Sequence, residues 1–322
     1  MIITGKYPKL RMRRSRKTDW MRRLVRENSL SSNDFILPIF VTEGKNKKIP
    51  IKTMPEVFRY SVDKLGQIVD RALKLKIPMV AIFPQTNSGL KDSYGSEALN
   101  ENNLVCKAIR KIKDKYKNEI GIMTDVALDP YTSHGHDGIL RNKRILNDET
   151  IEILIQQSLL QAQMGSDVIA PSDMMDGRIG EIRLELDNNS LKDIKILSYA
   201  VKYASSFYGP FRDAVGSKKS LKGDKKTYQM DFSNSEEALR EVALDIKEGA
   251  DLVMVKPGLP YLDIIKKVKE NFKIPVLAYQ VSGEYSLLMN GINKGLINEN
   301  SIYETLMSVS YTHLTLPTIR SV

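Results

Sequence analysis

Short apolar runs alternate with helical stretches along nearly the whole chain, and this alternation most constrains how it can fold. Seven runs read as strands, at 35–41, 79–84, 120–128, 167–172, 194–202, 251–256 and 274–281. Apolar residues recur at helical spacing over 61–76, 95–117, 148–164, 176–187, 233–248, 260–271, 284–293 and 299–309. Strands separated by helices are joined by crossovers, which makes them parallel neighbours in an α/β fold. Each of the seven runs ends in polar or unusual residues, which fits a (β/α)8 TIM barrel better than a two-domain doubly wound sheet. No G-x-G-x-x-G follows any strand and no G-x-x-x-x-G-K-S/T occurs, so no nucleotide fingerprint supports the open sheet. No organic cofactor is expected.

One strand ends in a lysine: residues 251–260 read DLVMVKPGLP, with Lys256 stopped at once by Pro257 and Gly258. Alternation puts Val253 and Val255 on one face and Leu252, Met254 and Lys256 on the other. An ammonium at the inner end of a buried strand loses solvation, and its pKa falls. The neutral amine is then a nucleophile toward carbonyls. The bland alternative is a lysine that snorkels to water. Lys202 ends the preceding strand in the same way. Adjacent strands lie about 4.8 Å apart, so two amines could face each other across a barrel mouth. Each would depress the other's pKa, and together they could hold two carbonyl substrates for an effectively intramolecular condensation.

The net charge of +10 points to nucleic acid or anionic lipid only until it is located. Residues 1–26 hold ten Lys/Arg against Asp19 alone, a balance of +9. The basicity therefore belongs to an arm (1–30), and the body is close to neutral. Trp20 and the Leu24–Val25 pair give the arm an apolar side for a neighbouring subunit, and no nucleic-acid motif follows it. No apolar run approaches the ~20 residues of a membrane span, and no secretory signal is present. A cytoplasmic chain without nucleic-acid or membrane partners is expected. Cys106 is the lone cysteine, so neither an internal disulfide nor a zinc–thiolate site is expected.

Two further segments carry chemistry. Residues 202–213 are aromatic for a loop and include Arg212, suited to a bidentate grip on a carboxylate. Residues 215–231 follow, rich in Lys, Gly and Ser (Lys218, Lys219, Lys222, Lys225, Lys226). They suit either a cationic lid over an acidic substrate or a solvated loop. Residues 125–137 place Asp125, Asp129 and Asp137 beside His134 and His136. These are either oxygen ligands for Mg2+ or solvated turn carboxylates, with the histidines as hydrogen-bonding loop residues.

The motifs APSDMMDGRIGEIR (170–183), KYASSFYGPFRDA (202–214), KKTYQMD (225–231), MVKPGLPYLD (254–263) and AYQVSGEY (278–285) resemble those of the δ-aminolevulinic acid dehydratases, also called porphobilinogen synthases. The arm and FILPIFV match as well, and the resemblance runs from about residue 10 to 309. It implies a TIM barrel that condenses two 5-aminolevulinates to porphobilinogen with loss of two waters. Lys256 resembles the lysine that forms the Schiff base with the first (P-side) substrate, and Lys202 its A-side partner. Arg212, Lys225 and Gln229 resemble A-side carboxylate and lid contacts. Ser282 resembles a P-side carboxylate ligand, and Tyr279, Asp125 and Ser172 resemble pocket residues. Zinc members carry cysteines where this chain has Ala127, Asp129 and Asp137, which implies the aspartate-type branch with Mg2+. Glu241 resembles an allosteric Mg2+ ligand, and a homo-octamer embraced by the arms is implied.

The resemblance stops at Val309. Where the family continues into an eighth strand and a last helix, this chain reads SYTHLTLPTIRSV (310–322). The expectation is a barrel domain of 31–309 with a foreign or frameshifted tail, the eighth strand and last helix missing or replaced. A family tyrosine at the end of that strand would fall near Ser321. Two rivals are a class I aldolase-like barrel, which needs one Schiff-base lysine, and a polyanion-binding protein that uses the arm.

Overall fold

The chain's alternation becomes a closed parallel barrel. The computed structural model describes residues 5–215, 221, 223–313 and 318–319, with side chains at all of these except 212, 213, 311–313, 318 and 319. The arm holds one short helix, α1 (Asp19–Leu24), with no buried residue; Trp20 and Leu24 are exposed. β1 (Phe35–Thr42) follows, then β2 (Lys48–Pro50) and β3 (Phe58–Ser61), an antiparallel ribbon added to the edge of β1. The barrel continues through α2 (Leu65–Lys74), β4 (Met79–Gln85), α3 (Leu104–Tyr116) and β5 (Gly121–Val126). A small hairpin, β6 (Ile139–Arg141) and β7 (Arg144–Leu146), precedes α4 (Asn147–Gln163) and β8 (Val168–Pro171). Next come α5 (Arg178–Asn188), β9 (Lys195–Lys202), α6 (Gly209–Ala214), α7 (Glu236–Lys247) and β10 (Leu252–Lys256). The chain closes with α8 (Leu262–Asn271), β11 (Val276–Tyr279), α9 (Ser282–Asn293), α10 (Asn300–His313) and β12 (Thr318–Ile319).

The barrel order is β1-β4-β5-β8-β9-β10-β11-β12 and back to β1, every pairing parallel. Each strand splits its side chains between two apolar layers, as pleating requires. Phe40, Phe83, Met123, Leu197, Tyr199, Met254 and Leu277 fill the interior. Ile169, Ile196, Val253, Val255 and Val276 face the outer helices. Burial of each such side chain contributes about 1.5–3 kcal/mol.

All seven expected strands are present, and the structure adds the short β2, β3, β6 and β7, whose patterns are too brief to read. The eighth place in the barrel is taken by two residues of the tail: Thr318 and Ile319 pair with Phe35 and Ile36 on one side and with Ala278 and Tyr279 on the other. Two extended residues are enough to bond to the exposed edges of β1 and β11. α10 runs without a break past Val309 to His313, so the backbone marks no boundary at 309. Residues 314–317 and 320–322, Ser321 among them, lie outside the described residues. Among the described residues no helix is long and apolar enough to cross a membrane.

Candidate active site

Lys202 and Lys256 end β9 and β10, which pair in parallel with the two lysines in register. Straight alternation would not bring them to one face. Leu197 and Tyr199 point into the barrel, so unbroken pleating would carry Val201 inward and Lys202 outward. β9 instead holds one extra residue between the pairs Val253–Ser198 and Val255–Val201. Ala200 and Val201 both pack in the outer layer, and Lys202 returns to the interior. A bulge of this kind re-aims a side chain at a barrel rim.

Both lysines are buried, at 5% and 7% exposure. The Nζ of Lys256 lies in a cage of rings, 4.4 Å from the centroid of Tyr279, 5.1 Å from Tyr199, 5.3 Å from Phe211 and 5.4 Å from Tyr208. Burial, with the like charge of Lys202 added, pulls its pKa down to about 7. The Lys202 Nζ donates to the carbonyl of Ser172 and lies 3.7 Å from Asp137 Oδ2.

Carboxylates from the end of β5 and the loop after it face the amines. Burial pushes Asp125 up to about 6, with the charge of Asp129 adding to it, while Lys202, Lys256 and a hydrogen bond from Ser172 pull the other way. One Asp125 oxygen, Oδ1, is buried without a hydrogen-bond partner. The segment after α6 returns Lys225 between two carboxylates, 2.9 Å from Asp137 Oδ1 and 3.4 Å from Asp129 Oδ2. Burial alone would raise Asp137; Lys202 and Lys225 outweigh it and hold the carboxyl well below the usual range. Asp129 is raised by burial, which Lys225 only partly offsets. Gln229 Nε2 donates to Asp137 Oδ2 at 3.4 Å. Beside this group, His136 Nδ1 meets Tyr228 Oη at 3.1 Å, and His134 Nε2 meets the Ser93 carbonyl at 3.2 Å.

Ser282 opens α9, and its Oγ accepts a hydrogen bond from the Phe211 N–H at 2.7 Å. Thus Lys202, Lys256, Asp125, Asp129, Asp137, Ser172, Lys225, Gln229, Tyr279 and Ser282 stand on neighbouring strand ends and the loops that follow them. Arg212 lies in α6, but its side chain is outside the described residues, as are Lys218, Lys219 and Lys222. Sequence reasoning singled out Tyr279 and the aromatic loop 202–213, but missed Tyr199 and the closing of these rings around Lys256. Tyr199 lies three residues from Lys202, and only the bulge lets both face inward. It also missed Arg178, which is 2% exposed and sits between Asp173 (3.5 Å) and Asp245 (3.5 Å) under the β8 loop that carries Ser172.

Two places bear on a metal. Asp129 and Asp137 do not fit a divalent ion as arranged, because the Lys225 ammonium bridges them. Among the described residues no group of three or more His, Cys, Asp and Glu could hold one. Glu241, on α7, lines a 580 Å³ cavity with Asp176, Glu237 and Asn147 but also with Lys143, Arg144, Lys226 and Gln229; neither Lys202 nor Lys256 lines it. Burial raises its carboxyl, Asp245, Asp176 and Glu237 add repulsion, and Arg178 pulls the other way. A hydrated Mg2+, held through one or two carboxylates, fits such a place. Cys106 is buried in α3.

Fold and site together define a (β/α)8-barrel enzyme with paired amines at the C-terminal mouth, where such barrels keep their chemistry. A family model for delta-aminolevulinic acid dehydratase matches residues 9–312, and the chain belongs to that family. The delta-aminolevulinic acid dehydratase of Bradyrhizobium diazoefficiens is 55% identical over 300 residues, covering 93% of this chain and 85% of the relative. That of Methanothermus sociabilis is 50% identical over 94% of this chain and 93% of its own. A crystal structure of the Toxoplasma gondii enzyme (porphobilinogen synthase) in complex with its product porphobilinogen superposes with a TM-score of 0.92 at 42% identity, over 97% of this chain and 88% of that one. The family is in general metal-dependent.

Proposed function

We propose that this chain condenses two molecules of 5-aminolevulinate into porphobilinogen, with loss of two waters, on the route to tetrapyrroles. The observation that carries the reading is the in-register pair Lys202–Lys256, one amine of which is brought to about 7 by its surroundings. At neutral pH a large share of Lys256 is then neutral and able to attack a ketone. Its addition to the ketone carbon of the first substrate gives a carbinolamine. Loss of the carbonyl oxygen as water leaves a Schiff base. Lys202 holds the second substrate in the same way. One C–C and one C–N bond then join the two molecules, both amines are released, and the two ketone oxygens have left as the two waters. The two substrates are fixed within one mouth, which supplies the proximity that a bimolecular condensation lacks in water.

Ser282 and Tyr279 are suited to the first substrate, and Gln229, Lys225 and Arg212 to the carboxylate of the second. Asp125, poised at about 6 beside Ser172, is suited to moving protons at the substrate carbons. The Lys225 bridge gives Asp129 and Asp137 a role as counterions of the lid. Mg2+ is the proposed cation; Glu241, with Asp176 and Glu237 near it, would hold it, and it would supply positive charge there, away from the reacting atoms. The exposed arm with Trp20 and Leu24 supports assembly into a homo-octamer.

Borohydride trapping tests the reading. Incubation with 5-aminolevulinate and reduction should add to Lys256 the mass of one substrate less its ketone oxygen, and a porphobilinogen assay should show turnover that depends on both lysines. Turnover near the wild-type rate by a chain lacking either lysine sinks it. The assay repeated with Mg2+, after chelation, and in Glu241→Ala separates the cation from the amines.

A further inference from the structure

The chemistry proposed for the first substrate is divided between two loops. One follows β10 and runs from Lys256 through Pro257, Gly258 and Leu259; the other follows β11 and carries Val281 and Ser282. Between them lies Glu284, 6% exposed, on the first turn of α9. Its Oε1 accepts from the Leu259 N–H at 2.6 Å. Its Oε2 accepts from the Val281 N–H at 2.7 Å and from the Gly258 N–H at 3.3 Å.

The bond to Val281 is the ordinary back-reach of a residue at the third helical position to its own N-cap. Helix capping requires nothing more. The other two donors belong to a different strand's loop, one and two residues beyond Pro257, and no rule of helix termination calls for them. The fit is close on that side: a Cβ at Gly258 would meet the Tyr279 carbonyl at 3.3 Å. The circuit is completed through Ser282, whose Oγ takes the Phe211 N–H at 2.7 Å. The ring of Phe211 lies 5.3 Å from the Lys256 amine.

We propose that Glu284 is a positioning residue for the condensation, its carboxylate tying the turn after Lys256 to the loop that carries Ser282. A buried acceptor with both oxygens engaged fixes three backbone N–H groups at once. It therefore sets how far the amine stands from the group suited to the substrate carboxylate. This rests on Lys256 being the first-substrate amine.

The test compares wild type, Glu284→Gln and Glu284→Asp, all as the full chain. Glu284→Gln keeps the shape but turns an NH2 donor toward a backbone N–H. Glu284→Asp keeps the carboxyl group but falls short. The expected result is that Glu284→Gln retains its circular-dichroism spectrum and melts cooperatively. Borohydride trapping at Lys256 should slow at least tenfold, with KM for 5-aminolevulinate raised and kcat lowered together. Glu284→Asp should restore part of the trapping rate. Wild-type trapping and KM in folded Glu284→Gln overturn the proposal, and so does failure of both variants to fold, which would make Glu284 a structural cap. A wild-type chain that traps no substrate at Lys256 overturns the functional reading itself, and the proposal with it.

Discussion

Lys202 and Lys256 stand opposite each other in register on adjacent parallel strands, and both turn into the barrel. The pairing depends on one extra residue in β9, because without it Lys202 would join Ser198 on the outer face. It brings two amines beside one group of buried carboxylates.

Residues that act as a unit are not additive. Lys256→Ala and Lys202→Ala are each expected to lower kcat by roughly 10³-fold or more, as removal of one member of a catalytic set does. The double variant should be little worse than either. Steady-state porphobilinogen formation checks this, and a double variant that loses the product of the two single effects would mean that the amines work independently.

The depressed amine has consequences for pH. Lys256 titrates near 7 in the folded chain against 10.5 for an ordinary lysine, so trapping should rise through about pH 7. Lys202→Met removes a like charge and should move that rise to higher pH. For stability, both states carry the charge below 7, and there the burial cost is fully present. As pH climbs from 7 toward 10.5 the unfolded chain holds the extra proton, and stability increases. Lys256→Met should therefore be more stable than wild type at pH 6, by about 1–2 kcal/mol, with the advantage shrinking by pH 9. Urea denaturation at the two values decides it.

Lys225 bridges Asp129 and Asp137 at 3.4 and 2.9 Å. Lys225→Met leaves two buried carboxylates side by side and should cost about 3–5 kcal/mol at neutral pH. Asp137 has a depressed pKa in the folded chain, so the stability this bridge supplies is present above the ordinary carboxylate pKa and is lost as pH falls through the folded one. The deficit should accordingly narrow under acid. Denaturation midpoints at pH 7.5 and at about pH 2.5, below the ordinary carboxylate pKa, measure it, and an equal deficit at both would contradict the bridge.

Gly283 approaches a neighbouring backbone too closely for any side chain: a Cβ there would lie 2.3 Å from the Phe207 carbonyl oxygen. Gly283→Ala should cost about 1–3 kcal/mol. It should also move Ser282 off the Phe211 N–H, raising KM for 5-aminolevulinate more than it lowers kcat. Thermal melting and steady-state kinetics on the same preparation give both readings. An unchanged KM would show that Ser282 keeps its place despite the shift.

The sequence alone determined the α/β class, the order and approximate positions of seven barrel strands, and which strand ends carry Lys, Asp and Ser. These are local properties, since apolar periodicity and the residues that stop a strand lie within a few positions of one another. The motifs at those ends were specific enough to give the family as well. Tertiary structure decided what alternation misread or could not reach. The extra residue in β9 turned Lys202 inward, and four rings from β9, α6, β11 and the segment before α6 closed around Lys256. Lys225 came back between Asp129 and Asp137, and Glu284 joined two loops. The tail's Thr318 and Ile319, which carry no strand pattern worth reading, took the eighth place because open edges on both sides accept any two extended residues. Each of these rests on groups far apart in the chain, whose distance is fixed only when the barrel closes.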